Sequence, residues 1–154
     1  MTGASPTIVS VNISENTGEK KKNVTNCLAV EERGLENDAH AGDWHRQVSL
    51  LAVESVDKMR LAGLDVWPGD FAENLTTQGV DLVSLPVGTR LRVGDEVLLE
   101  VTQIGKECLK PCAIYYQAGD CVMPKEGIFA RVLKGGKLEV GDTIEVMLGS
   151  GTLT

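Results

Sequence analysis

Cys108 and Cys112 stand four residues apart in the stretch Gly105-Lys106-Glu107-Cys108-Leu109-Lys110-Pro111-Cys112-Ala113-Ile114. A structural cysteine prefers apolar neighbours, where its thiol stays protonated and inert. Here Lys106 and Lys110 flank the pair, and nearby positive charge favours the thiolate, which is the nucleophile and the metal ligand. Pro111 suits the first position of a helix. Cys112 then falls in that helix's first turn, where unpaired N–H groups and the macrodipole also favour an anion. The chemistry on offer is a nucleophile, a sulfur carrier or a metal thiolate. A pair of buried small side chains is the bland alternative. A structural zinc site would need four ligands in paired short spacings. Cys108-x3-Cys112 is half of one, but Cys27, Cys121, His40 and His45 supply no second pair of that kind. Cys121 is either a resolving thiol or an unreactive loop cysteine.

Three other polar stretches carry candidate ligands. Gly34 to Gly42 holds Asp38 and His40 and is followed by Trp44, Arg46, Gln47 and Ser49. Its glycines allow tight turns and close approach to a ligand. Arg46 can grip an oxyanion with two parallel hydrogen bonds, and His40 can move a proton near neutral pH. A solvated loop would look the same in composition. Pro68 to Thr77 leads a turn into a strand bearing Asn74, Thr76 and Thr77, which either touch a ligand or cap the strand end. Gly119 to Arg131 completes the set. No dinucleotide fingerprint, P-loop or nucleophile elbow is present.

Elements must position these groups. Val9, Val11 and Ile13 alternate with polar residues, as in a half-buried strand. Asn26 to Val30 reads as a second strand, and Val48 to Val53 as one buried on both faces. Val56 to Leu61 has helical spacing, with Gly63 as its C-terminal cap. From Leu85 onward the pattern is strand and turn: Thr89–Val93, Glu96–Ile104, Ile128–Leu133, Lys137–Val140 and Thr143–Leu148. Gly94-Asp95, Gly135-Gly136 and Gly141-Asp142 punctuate them as hairpin turns. Leu91-Arg92-Val93-Gly94-Asp95 and Leu138-Glu139-Val140-Gly141-Asp142 echo each other and predict two similar hairpins. Besides Val56–Leu61, only Pro111–Ala118 looks helical. Many short strands and few helices predict a mainly β fold: a largely antiparallel, closed or nearly closed β-barrel, since closure removes exposed edges.

The chain of 154 residues is most simply one domain, spanning 1–154. Such a domain can bury about 68–70% of its unfolded surface and needs no disulfide or metal to fold. No apolar run approaches the ~20 residues of a membrane helix, and Met1 to Pro6 shows no signal-peptide pattern. The expected compartment is the cytoplasm, where four cysteines are thiols before they are bridges. A net charge of −7 argues against nucleic acid. The basic run Lys20-Lys21-Lys22 reads as a solvated loop.

Taken in order, these segments resemble the MOSC family, named for the C-terminal domain of molybdenum cofactor sulfurases. Four blocks carry the resemblance: Gly34–Gly42 with Arg46–Ser49, Gly69–Leu75, Lys106–Ile114, and Pro124–Val132 with Val140-Gly141-Asp142. They span about Ile8 to Met147 and look like the small stand-alone bacterial form. The resemblance implies a largely antiparallel β-barrel that binds the molybdenum cofactor, molybdopterin with its metal, or handles sulfur for it. The family's cysteine maps onto Cys112, which would carry a persulfide or ligate molybdenum, with Cys108 sharing or resolving that sulfur. His40, Arg46, Gln47, Ser49, Asn74, Lys106 and Arg131 become the implied cofactor shell. The family label of pyridoxal phosphate belongs to the sulfurase's separate desulfurase domain; nothing here suggests a Schiff-base lysine pocket. Implied partners are cofactor-biosynthesis proteins, sulfur donors or an apo-molybdoenzyme, with no nucleic acid and no membrane. A molybdenum-dependent reductase of N-hydroxylated compounds and a non-catalytic cofactor carrier are the alternatives.

Overall fold

The structure, a computed structural model, describes residues 6–16, 21–39, 41–105 and 126–147. The strands are β1 (Thr7–Ile13), β2 (Lys22–Val24), β3 (Asn26–Val30), β4 (Gly34–Leu35), β5 (Val48–Ala52), β6 (Leu75–Gln78), β7 (Arg90–Val93), β8 (Val97–Ile104), β9 (Ile128–Lys134), β10 (Gly136–Glu139) and β11 (Ile144–Met147). Helix α1 spans Val53–Leu61, and Leu82–Ser84 forms a short 3-10 turn. The fold is mainly β, as the alternation predicts. An eight-stranded sheet runs β11-β7-β8-β9-β5-β6-β1-β2, and a three-stranded sheet runs β10-β3-β4. Among the described residues every strand pairing is antiparallel except β5 with β6.

β1 divides its outer edge. Val11 to Ile13 pair with β2. Near its start, Thr7 and Thr143 form one isolated bridge. Around it Ile8 N–H donates to the Asp142 carbonyl at 2.9 Å, Gly141 N–H to Ile8 at 2.8 Å and Ile144 N–H to Pro6 at 2.8 Å. The two arms of the large sheet are thus laced at one point. A continuous closing ladder is not found among the described residues, so the expected closed barrel is not seen.

The large core lies on one face of this sheet. It includes Ile8, Val11, Val48, Leu50, Leu75, Leu91, Leu99, Val101, Ile128, Ala130 and Val132. A smaller apolar cluster holds Leu51, Val56, Val66, Phe71 and Phe129. Val48 and Leu50 serve the first and Leu51 the second, so β5 is buried on both faces, as its apolar run predicts. α1 carries Glu54 in its first turn and Lys58 and Arg60 in its last, each complementing the helix dipole. Gly63 N–H donates to the Arg60 carbonyl at 3.0 Å and ends the helix.

Two expectations need correction. Only the first of the two echoed pentapeptides makes a hairpin: β7 pairs β8 around Gly94. The second carries the chain from β10, which pairs β3, to β11, which pairs β7. The same turn chemistry joins different partners because sheet membership is decided by distant strands. Lys21 is likewise not solvated. Its ammonium lies 2.8 Å from Asp38, and neither side chain retains exposed surface.

Candidate functional site

The cysteine segment leaves β8 and returns to β9, so the ends of those strands decide where it is held. Gly105 N–H donates to the Gly127 carbonyl at 2.7 Å and ties the neck. Beside the return, Glu126 accepts the Ser55 hydroxyl at 2.6 Å and pairs with Lys58, both from α1. Cys108, Cys112, Lys106 and Cys121 lie outside the described residues, as do His40 and the expected helix Pro111–Ala118.

A bulge shapes this end of the sheet. Val101 pairs with Ala130 and Gln103 with Phe129, leaving Thr102 as the extra residue. Regular alternation would turn Gln103 toward the same core as Val97, Leu99 and Val101. The bulge reverses that and presents Gln103 on the face of Phe129, a re-aiming that bulges perform. Thr102 and Gln103 then grip one short segment together. The Thr102 hydroxyl donates to the His45 carbonyl. The Gln103 side-chain oxygen accepts Arg46 Nε–H at 3.0 Å and lies 2.8 Å from His45 Nε2. Its amide nitrogen donates to the Gly105 carbonyl at 2.7 Å, at the neck itself.

Arg46 is half-buried, with its guanidinium carbon 5.1 Å from the Phe129 ring centroid. This is cation–π range, and the stack and the Nε bond hold the guanidinium at the neck. No salt bridge to Arg46 occurs among the described residues. Arg131 differs: its Nε lies 2.9 Å from Glu100, and Nη1 lies 3.9 Å from Glu32. Those carboxylates already answer its charge. With Trp44, His45 and Thr102, these three residues line a shallow groove on this side of the sheet. Trp44 meets the His45 ring edge-on, 6.0 Å between centroids.

Gln47 lines this groove too, while Ser49 and Asn74 lie in the framework beside it. Gln47 is buried, and its side-chain oxygen accepts Val132 N–H at 2.9 Å. The Asn74 oxygen accepts Ser49 N–H at 2.9 Å and lies 3.2 Å from the Ser49 hydroxyl, while its amide donates to the Asn12 carbonyl at 3.1 Å. Beyond them runs a buried polar layer. Asn12 donates to the Thr76 hydroxyl at 3.1 Å, and Thr76 donates to Glu73 at 2.6 Å. Asn23 donates to Asn12 at 2.7 Å and to the Pro68 carbonyl at 2.9 Å. In place of a solvated face, β1 and β6 bury amides and hydroxyls that mostly bond one another, leaving the Thr77 hydroxyl and Glu73 Oε1 without a hydrogen-bond partner among the described residues.

Two carboxyls in this layer have opposite character. Burial pushes the Asp38 carboxyl up, but hydrogen bonds from Lys21, Asn74 and Ser14 N–H, with the Lys21 charge, outweigh it. The net result lies below the ordinary aspartate value. Glu73 is fully buried, and burial raises its pKa against hydrogen bonds from Thr76 and Gly69 N–H. Cys27 is half-buried on β3, where burial and then the Glu36 charge push its thiol up. Among the described residues, no group of three or more His, Cys, Asp and Glu is arranged to hold a metal ion. Nor is any helix there long and apolar enough to cross a membrane.

His45 and Gln103 were not among the residues the sequence offered as a cofactor shell. One signal marks Gln103: it is the polar interruption in the inward series Val97, Leu99, Val101.

A mainly β protein of two sheets, with its cysteine segment departing from a bulged strand end, is the class these features define. The MOSC domain model matches residues 37–145, and the chain belongs to the MOSC domain family. The fold is shared with the YuaD protein from Bacillus subtilis, at a TM-score of 0.77 and 20% identity, covering 93% of this chain and 96% of that one. It is also similar to YiiM from Geobacillus stearothermophilus (TM-score 0.67, 22% identity, 92% and 74% covered). YiiM from Escherichia coli gives a TM-score of 0.66 at 22% identity, with 98% and 74% covered. No curated protein matches the chain by sequence.

Proposed function

We propose that this protein binds the molybdenum cofactor and handles sulfur for it through Cys112. The supporting observation is the placement of Arg46. Its guanidinium stacks on Phe129 and is tied through Gln103 to the neck from which the cysteine segment departs. An arginine without a carboxylate partner in the described residues fits the phosphate of a pterin, which it can bind with two parallel hydrogen bonds. The donor set therefore fits the anionic end of the cofactor. The metal-facing end falls to Cys112, in the segment outside the described residues. When bound, the cofactor supplies the phosphate-bearing pterin and a metal that takes sulfur ligands.

The chain's own groups divide the work. Arg46 binds and orients the anion. Gln47, Ser49 and Asn74 hold the strand ends beneath it. Lys106 and Lys110 favour the Cys112 thiolate. That thiolate attacks the outer sulfur of a donor persulfide. One S–S bond forms at Cys112 as the donor's S–S bond breaks, and the donor leaves as a thiolate, so no external oxidant is consumed. Cys108 can then share or resolve the persulfide. The partners this reading needs are a sulfur-donor protein and an apo-molybdoenzyme.

The test uses anaerobically purified protein, wild type beside Arg46→Ala and Cys112→Ser. Bound molybdenum is measured by elemental analysis and pterin by fluorescence after oxidation. Near-stoichiometric loading of the wild type, lost in Arg46→Ala without loss of the folded state, supports the site. Wild-type protein that takes up neither metal nor pterin when offered the cofactor overturns it.

A further inference from the structure

We infer that Gln103 is a positioning residue, whose amide fixes the proton on His45 Nε2 and holds the Arg46 guanidinium against the neck of the cysteine segment. Its relevance to function rests on the cofactor-site reading above; its geometry does not. The orientation of the amide follows from its partners. The Gly105 carbonyl can only accept, so the Gln103 atom 2.7 Å away is the NH2 group. Arg46 Nε–H can only donate, so the atom 3.0 Å away is the amide oxygen. The two constraints agree and remove the flip ambiguity that side-chain amides carry.

His45 Nε2 lies 2.8 Å from that same oxygen. An oxygen with no hydrogen of its own requires a donor there, so Nε2 carries the proton. In the neutral ring, Nδ1 is then the lone-pair nitrogen, the one able to accept a proton or a metal. The neighbours hold this arrangement. Thr102 fixes the His45 backbone carbonyl, and Trp44 meets the ring edge-on. Both grips depend on the bulge at Thr102, without which Gln103 would face the core. One amide thus orders a base, a cation and a hairpin neck at once.

The test is nuclear magnetic resonance on 15N-labelled full-length protein, with His40→Gln to assign His45. Wild type should give a pyrrole-type Nε2 and a pyridine-type Nδ1 for neutral His45. It should also give slowly exchanging Nε2–H and Arg46 Nε–H proton signals. Gln103→Leu should lose both slow signals to exchange while the remaining amide spectrum stays native. Gln103→Glu keeps an acceptor at the same place and should restore both. A wild-type ring protonated on Nδ1 overturns the inference without any change at Gln103. So do both slow signals persisting in Gln103→Leu. These readouts need no cofactor. If the wild-type signature and its loss are found while cofactor uptake fails, the positioning role stands and the cofactor reading falls.

Discussion

Lys21 and Asp38 form an ion pair 2.8 Å long with no exposed surface on either side chain. The ammonium also donates to the Ser14 hydroxyl at 2.9 Å, and Asp38 accepts Ser14 N–H at 3.0 Å. The pair joins the start of β2 to the loop after β4, over the polar layer of β1. Breaking one side of such a pair leaves the other charge buried without its counter-ion, at a cost of about 3–5 kcal/mol. Lys21→Met should therefore unfold at much lower urea than wild type, whereas Lys22→Met, on an exposed residue, should shift the midpoint little. Equal midpoints for wild type and Lys21→Met would show that the pair is not formed in solution.

Stability should fall as pH rises above the ordinary glutamate range because of Glu73. Its folded pKa is raised, chiefly by burial, so the native state holds the proton more tightly than the unfolded chain. That contribution is fully present below the unfolded glutamate value of about 4.3 and is lost as pH rises through the folded value. Asp38 has the opposite sign: its folded pKa is lowered, and its contribution is lost as pH falls below the unfolded aspartate value of about 3.9. Urea midpoints from pH 5 to 9 should decline in wild type and decline less in Glu73→Gln. Parallel declines would show that Glu73 is not the titrating group.

Gly69 and Gly63 separate backbone strain from steric clash. Both sit at positive φ, +95° and +102°. A Cβ on Gly69 would come 2.6 Å from the Lys21 carbonyl oxygen, while one on Gly63 meets nothing within 4 Å. Alanine at Gly63 bears only the backbone cost, about 1 kcal/mol. Alanine at Gly69 adds displacement of the Lys21 backbone just before β2, so Gly69→Ala should lose well over twice as much. Calorimetric melting of the two variants compares them directly.

Cys27 should be the slow thiol. Its pKa is raised by burial and by Glu36, so little thiolate exists at neutral pH, and the thiolate is what reacts. Titration with a disulfide reagent at pH 7 should show a fast fraction that Cys27→Ser leaves unchanged and Cys112→Ser removes. A fast fraction lost in Cys27→Ser would reverse the assignment.

All the strands but the short β2 and β4 were legible, because alternation and turn glycines are local properties. β5 declared itself through an unbroken apolar run, and β7–β8 through Gly94. What stayed hidden depends on pairing across the sheet. The bulge at Thr102 exists only in the register of β8 against β9, so Gln103 could not be assigned a face. Lys21 read as solvated because its neighbours are charged; its partner Asp38 stands 17 residues on in sequence, beyond any local pattern. Arg46 was recognised by its type, and Asn74 and Ser49 equally so. Sequence could not tell that those two face each other while Arg46 stacks at the neck.

The lacing of Thr7 to Thr143 has a consequence for how the protein comes into being. β1 finds one of its edge partners only at Thr143, more than a hundred residues later in the sequence. β3 likewise waits for β10, and β5 for β9. Such long-range pairings slow folding. They also leave early strand edges unpaired, which invites aggregation. Assembly of the sheet therefore waits for β11, and the edges of β1 and β7 stay open until that segment is made.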